Sequence, residues 1–176
     1  MGERVKIEIM DTTLRDGEQT SGVSFVPHEK LMIARLLLED LKVDRGEVAS
    51  ARVSDGEMEA VQMICEWAAL RNHLHKVEVL GFVDGKTSVD WIVKSGCRVI
   101  NLLCKGSLKH CMQQLQKTPE EHICDIKDTI YYAHSQGIMV NVYLEDWSSG
   151  MKDSPDYVFQ LMDALQTTPV QRFMLP

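Results

Sequence analysis

Short apolar runs alternate along the chain with longer stretches in which apolar residues recur every three or four positions. The first run, Val5–Met10, leads into a loop rich in Asp, Thr and Gly, which is typical of a strand that ends there. After Pro27, apolar residues follow three- and four-residue spacing from Leu31 to Leu41, which predicts a helix with one buried face. A strand is therefore followed by a helix.

The same alternation continues to the end of the chain. Strands that alternate with helices about every thirty residues imply right-handed parallel crossovers, and so an α/β fold that is either a doubly wound sheet or a TIM barrel. A Thr118 and Glu121 capping box opens one helix, and Gly137 ends it. We predict six strands and five helices without a domain boundary: strands at 6–11, 44–48, 76–80, 99–103, 139–143 and 172–175, and helices at 29–41, 56–73, 87–96, 118–137 and 155–166.

Composition and charge indicate which kinds of partner the protein is expected to bind. The 176 residues are 44% hydrophobic and 26% charged, which is ordinary for a globular domain. A formal net charge of -7 leaves no basic surface for a phosphate backbone, so we expect no nucleic-acid partner. We see no apolar run long enough for a membrane span and expect a cytoplasmic protein. Five cysteines without a C-x-x-C pair are predicted to be reduced and mostly buried.

The loop after the first strand is crowded with charged and polar side chains. An arginine beside a carboxylate suits a site that holds a metal ion and stabilises an oxyanion. A solvated charged loop with a local ion pair has the same composition, so composition alone leaves both interpretations open. The residues concerned, within nine positions, are Asp11, Arg15, Asp16, Glu18 and Gln19.

The string DTTLRDGEQT, residues 11–20, resembles the opening motif of the 2-isopropylmalate, homocitrate and citramalate synthase family. Three later segments resemble that family's landmarks in the same order: SDGEMEAV, GSLKH and YLEDWS. The resemblance therefore extends over the whole chain. It implies a (β/α)8 TIM barrel, here truncated to about six strands and five helices, with residues 1–176 forming one partial catalytic domain.

The resemblance also implies roles for individual residues. Arg15 would stabilise the enolate and keto oxygens as a catalytic residue, and Asp16 would be a ligand of a divalent cation, namely Mg, Mn or Zn. Glu47, in the second strand, would support the arginine. Independently of the family, a glutamate among the apolar residues of a parallel strand must find a partner.

Two further residues would bind substrate in this family. His110 matches a histidine near the substrate, although it could instead begin the following helix. Glu145 matches an acidic residue that contacts the 2-oxo acid side of the family's site. The adjacent Asp146 could have no role beyond capping the loop. Val83 stands where many members carry an arginine, so another donor would bind the substrate carboxylate. The five other histidines are predicted to be ordinary surface residues: His28, His73, His75, His122 and His134.

The implied reaction is a condensation of acetyl-CoA, the co-substrate, with a 2-oxo acid, for which 2-oxoisovalerate is the family's commonest assignment. A retro-aldol or acyl-CoA lyase of the same barrel family is the alternative, and a non-catalytic truncated pairing module is another. The family's His-x-His metal pair would lie beyond Pro176. We therefore expect this chain alone to be inactive and to bind no divalent cation tightly.

An incomplete barrel also has consequences for association. Two strand edges would lack partners, and we expect the inward-facing side chains to present a contiguous apolar patch. Both features predict that the chain forms a homo-oligomer, most simply a symmetric dimer.

Overall fold

The computed structural model describes residues 6–176, so Val5 of the predicted first strand lies outside the described residues. These residues form a single sheet in which every neighbouring pair of strands is parallel and the strand order follows the chain. The parallel α/β prediction is confirmed as a half-barrel. The strands are β1 Met10–Asp11, β2 Arg45–Ser50, β3 Val77–Phe82, β4 Val99–Lys105, β5 Met139–Glu145 and β6 Val170–Met174.

Helices connect the strands, as the apolar spacing predicts. They are α1 Pro27–Arg35, α2 Asp55–Leu70, α3 Thr87–Ser95, α4 Leu108–Gln113, α5 Pro119–Ser135, α6 Trp147–Asp153 and α7 Pro155–Leu165. A π-helical turn, Leu36–Asp40, continues α1, and short 3-10 turns lie at Gly17–Gln19 and Leu74–Lys76. The sequence did not predict α4 and α6, because six or seven residues are too few to display a helical repeat.

Local sequence signals mark both ends of α5. The capping box of α5 is confirmed: the hydroxyl of Thr118 accepts the N–H of Glu121, and the Glu121 carboxylate accepts the N–H of Thr118. Gly137 follows α5 with a φ of 72°, a left-handed conformation that suits glycine. The first strand is shorter than predicted, since only Met10 and Asp11 pair with β2.

The outer face of the sheet is apolar and packs against the helices. Its residues alternate with those of the inner face and belong to one continuous buried cluster. Burial of each large aliphatic side chain contributes roughly 1.5–3 kcal/mol. Four of the five cysteines are buried as predicted, and Cys124 is exposed. The outer-face side chains include Val79, Ile100, Leu102, Val140, Val142 and Leu144.

The inner face carries a buried polar layer, so the expected contiguous apolar patch is wrong there. Glu47 of β2 is the register partner of Glu78 of β3, and Asn101 of β4 is the partner of Asn141 of β5. All four are almost completely buried. They line up because partners in adjacent parallel strands point to the same side. The predicted self-association now rests on the strand edges and stays a prediction.

Candidate functional site

The loop after β1 folds into a tight turn around one backbone oxygen. The carbonyl of Thr12 accepts the N–H groups of Arg15 and Asp16, at 3.1 and 2.8 Å. The Asp11 carboxylate accepts both the N–H and the hydroxyl of Thr13, at 2.9 and 3.1 Å. The turn places Arg15 over the C-terminal end of β2, where the active sites of parallel α/β barrels lie.

Arg15 is held by two carboxylates. Its Nε lies 2.5 Å from Oε2 of Glu47, and its Nη1 lies 2.9 Å from Oδ1 of Asp16. Burial raises the pKa of Glu47, while a hydrogen bond from Asn101 and the charge of Arg15 oppose that rise. Burial lowers the pKa of Arg15, but Glu47 outweighs it and the net direction is upward. Glu47 therefore has the supporting contact with Arg15 that the resemblance implies.

Three of the five predicted site residues line one cavity at the C-terminal ends of the strands. Its volume is about 600 Å³, which suits a small ligand. Arg15, Asp16 and Glu145 face it, whereas Glu47 lies behind Arg15. Their assignment to catalysis or binding stays a prediction. The lining consists of Thr12, Arg15, Asp16, Gln19, Ser50, Val53, Leu80, Phe82, Leu103, Tyr143, Glu145 and Pro176.

Tyr143 is a cavity residue that the sequence reasoning missed. It lies two positions before Glu145 on β5, and residues two apart on a strand share a face, which is the signal that could have found it. It lines the same cavity as Arg15. Burial raises the pKa of Tyr143 to about 12, so the phenol keeps its proton near neutral pH and can donate a hydrogen bond.

Glu145 is paired with Lys105, which sequence reasoning also missed. The two residues are register partners on β5 and β4, and their side chains form an ion pair. The backbone carbonyl of Glu145 also accepts the N–H of Gly106, at 2.6 Å. Lys105 thus supplies a positive charge beside the cavity. The sequence did not indicate Lys105 as a site residue, because it stands at the end of an apolar run and belongs to no recognised motif.

His110 lies on α4, outside the lining of this cavity. Its N–H donates to the hydroxyl of Ser107, so it begins a helix, which was the alternative considered. Its Nε2 lies 3.5 Å from Oδ2 of Asp146, which also accepts the Ser107 hydroxyl at 2.7 Å. Hydrogen bonds from Ser149 and Ser107 lower the pKa of Asp146. Asp146 therefore ties the loop before α4 to the start of α6, and substrate binding by His110 stays a prediction.

His122 is buried, so its assignment to the surface is wrong. It lies on α5, and its Nε2 accepts the N–H of Lys105 at 3.1 Å. Burial lowers the pKa of His122 to about 4, which keeps the imidazole neutral and able to accept. The helical spacing of α5 alone did not show that this polar position faces the end of β4.

A buried lysine fixes the other end of the charged loop. Lys30 of α1 is 1% exposed, and its Nζ lies 2.6 Å from Oε2 of Glu18 and forms a second ion pair with Glu57 of α2. The same Nζ donates to the carbonyl of Leu14 at 3.2 Å. Glu18 also accepts the N–H of Phe25 at 2.9 Å. Lys30 therefore joins the loop to two helices.

The described residues supply only part of a metal site. Among residues 6–176, no group of three or more His, Cys, Asp and Glu side chains is arranged to hold a metal ion. The side chain of Asp16 is 62% exposed, and Glu145 lines the same cavity. Carboxylate oxygens suit Mg or Mn, but two carboxylates do not complete a coordination shell. We derive no step through a bound metal from these residues.

The family of the chain follows from comparison with known proteins. A family model described as HMGL-like matches residues 6–176, and the chain belongs to this family. The chain is 33% identical over 172 residues to 2-isopropylmalate synthase of Saccharolobus solfataricus, covering 97% of this chain and 42% of that protein. It is 38% identical over 142 residues to a homocitrate synthase of Methanopyrus kandleri, covering 80% and 34%.

Another relative is the (R)-citramalate synthase of Methanocaldococcus jannaschii, 34% identical over 141 residues, which are 80% of this chain and 27% of that protein. The chain thus spans 27% to 42% of the length of these three relatives. All three relatives are named as synthases. They do not distinguish between the substrates that their names indicate.

Solved structures with the same fold include hydroxymethylglutaryl-CoA lyases. The lyase of Bacillus subtilis superposes with a TM-score of 0.75 at 17% identity, covering 99% of this chain and 59% of that chain. The lyase of Pseudomonas aeruginosa gives 0.72 at 15% identity, covering 97% and 57%. At such identities the likeness establishes the fold alone, and it is the fold of TIM-barrel lyases.

Proposed function

We propose that the chain carries part of the active site of a 2-isopropylmalate synthase-like acyltransferase, which condenses acetyl-CoA with a 2-oxo acid in amino-acid biosynthesis. Residues 1–176 would form one partial catalytic domain. The observation that carries the proposal is the contact of Arg15 with buried Glu47 at the wall of a cavity that Asp16 also lines. We take 2-oxoisovalerate as the first substrate to test.

The proposed reaction forms one carbon–carbon bond. A base removes a methyl proton from acetyl-CoA, and the resulting enolate carbon attacks the carbonyl carbon of the 2-oxo acid. The carbonyl oxygen becomes an alkoxide, which then takes up a proton to form a hydroxyl group. Water then hydrolyses the thioester and releases CoA. Asp16 would supply one carboxylate ligand to a divalent cation, and the chemistry such a cation would supply is polarisation of a carbonyl group.

Arg15 meets the electrostatic requirement of this reaction. Negative charge develops on the enolate oxygen and on the former carbonyl oxygen, and a fixed guanidinium stabilises both without reorganising. Glu47 holds Arg15 in place, and the Tyr143 phenol beside it can donate to the same region. A lyase that runs a retro-aldol cleavage would use the same charges, so the geometry alone does not separate the two directions.

Sequence likeness favours the synthases. Synthase relatives are 33% to 38% identical to the chain, whereas four lyases of known structure are 15% to 19% identical. One lyase with this fold, from Acinetobacter baumannii, was solved with coenzyme A and 3-methylmalate, with a TM-score of 0.69 at 16% identity and covering 96% of this chain and 55% of that chain. That complex supports a ligand that carries coenzyme A for either reaction class.

A chimera tests the proposal. This chain would replace the matching segment of the Saccharolobus solfataricus synthase, and release of free CoA would be followed with 2-oxoisovalerate and other 2-oxo acids. We expect turnover that Arg15→Ala lowers by about 10²–10³, the effect of losing one oxyanion donor. Arg71→Ala, a change at an exposed arginine on the end of α2, is the matched control and should leave turnover unchanged.

The outcomes separate the alternatives. Cleavage of an acyl-CoA without any condensation would favour the lyase. A folded chimera that catalyses neither reaction would favour the non-catalytic pairing module, and equal turnover in Arg15→Ala would refute the role of Arg15.

A further inference from the structure

A hydrogen-bonded chain crosses the inner face of the sheet and ends at Glu47. Nδ2 of Asn101 lies 2.8 Å from Oε1 of Glu47, and Nδ2 of Asn141 lies 2.8 Å from Oδ1 of Asn101. The other carboxylate oxygen of Glu47 accepts from Arg15. Asn101 and Asn141 are completely buried, and Glu47 is nearly so. Three strands, β2, β4 and β5, thus contribute to one polar line.

Arg172 of β6 sets the direction of this series of hydrogen bonds. An asparagine amide can present either its oxygen or its NH₂ group to a neighbour, and its partners decide which. Arg172 of β6 can only donate, and its Nη1 lies 3.5 Å from Oδ1 of Asn141. This contact leaves the NH₂ group of Asn141 to face Asn101, whose own NH₂ group then faces Glu47. Every donor in the line points towards the carboxylate.

We propose that Asn101 and Asn141 are positioning residues that act on Arg15 through Glu47. A buried carboxylate without its second donor would lose the orientation in which it binds Arg15, because hydrogen bonds to a charged group are strong only with good geometry. If the Asn101 amide turned over, its oxygen would face the carboxylate and repel it. Asn141 prevents that turn by donating to the same oxygen. Only the consequence for catalysis rests on the proposed function.

The Arg15 Nε–H group reports this positioning directly. We would follow its NMR signal, assigned by its loss in Arg15→Lys, and measure its hydrogen exchange with solvent. The signal should be protected in the native chain. In Asn101→Leu, which keeps the branched shape of the side chain but removes the donor, we expect exchange about tenfold faster or more, which is the scale of one hydrogen bond to a charged group.

Two further variants separate positioning from general destabilisation. Asn141→Leu should accelerate exchange by a smaller factor, because Asn101 keeps its NH₂ group and only loses the contact that orients it. Thr129→Val removes a buried hydroxyl on α5 that donates to the carbonyl of Asp125, away from the polar line, and should leave the Arg15 signal unchanged.

Native-like exchange in folded Asn101→Leu would overturn the inference, as would equal acceleration in Thr129→Val. If Asn101→Leu does not fold, Asn141→Leu decides the question. Unchanged exchange of the Arg15 signal in that variant would refute the positioning of Arg15 by the two asparagines. In the synthase chimera, Asn101→Leu should lower kcat about tenfold or more with little change in KM. An inactive native chimera together with the expected exchange rates would reject the proposed function and retain the positioning of Arg15.

Discussion

The two faces of the sheet differ in the kind of interaction that fixes them. The outer face, with Ile100 and Leu102 as examples, is held by close packing against helices, which tolerates any apolar side chain of suitable volume. The inner face, with Glu47 and Asn101, is held by directed hydrogen bonds, which tolerate few replacements. The difference indicates that stability depends mainly on the outer face, whereas the proposed chemistry depends on the inner face.

The largest expected effect on stability comes from Lys30 of α1, which is buried and paired with two carboxylates. Lys30→Met removes the cation from the buried cluster and leaves the Glu18 and Glu57 carboxylates without their partner. We expect a loss of about 3–5 kcal/mol in the free energy of unfolding, measured by denaturant titration. Lys94→Met, at an exposed position on α3, is the control and should change stability by less than about 0.5 kcal/mol. Equal effects of the two changes would show that the Lys30 cluster is not important for stability.

Two neighbouring leucines on β4 test whether the outer face contributes more to stability than the inner face. Leu102 is completely buried on the outer face, and Leu103 lines the cavity on the inner face. We expect Leu102→Ala to lower the free energy of unfolding by about 2–5 kcal/mol and Leu103→Ala by about 1 kcal/mol. Thermal and denaturant unfolding would measure both. A larger loss at Leu103 would contradict the division between the faces.

His122 makes stability depend on pH. The pKa of His122 is lowered by burial to about 4 in the folded protein, against 6.5 for an ordinary histidine. Between these values the unfolded chain binds a proton that the folded protein does not, so the free energy of unfolding should fall as pH drops through this window. The gap corresponds to about 3 kcal/mol.

His122→Phe should remove this part of the pH dependence, measured by denaturant unfolding at several pH values. His134→Phe, at an exposed position on the same helix, is the control and should keep it. A slope between pH 4 and 6.5 that survives in His122→Phe would assign the proton to another group.

The sequence predicted the parallel strands more successfully than the polar residues of the inner face. Apolar spacing located six parallel strands, because packing against helices leaves a periodic signal along the chain. The family motif indicated Arg15 and Asp16, and the position in the second strand indicated Glu47. Lys105, Tyr143 and Asn101 were missed, since their importance arises from neighbours on other strands that sequence spacing does not reveal.

Binding of a 2-oxo acid beside Arg15 is the most direct test of the central claim, that the inner face presents this guanidinium to a developing oxyanion. We would titrate the chain with 2-oxoisovalerate and follow the NMR signals of Arg15 and Tyr143. We expect saturable changes at both residues in the native chain, loss of the change at Tyr143 in Arg15→Gln, and retention of both changes in Arg71→Ala. Binding that leaves both signals unchanged, or that persists fully in Arg15→Gln, would contradict the assignment of this cavity as the substrate site.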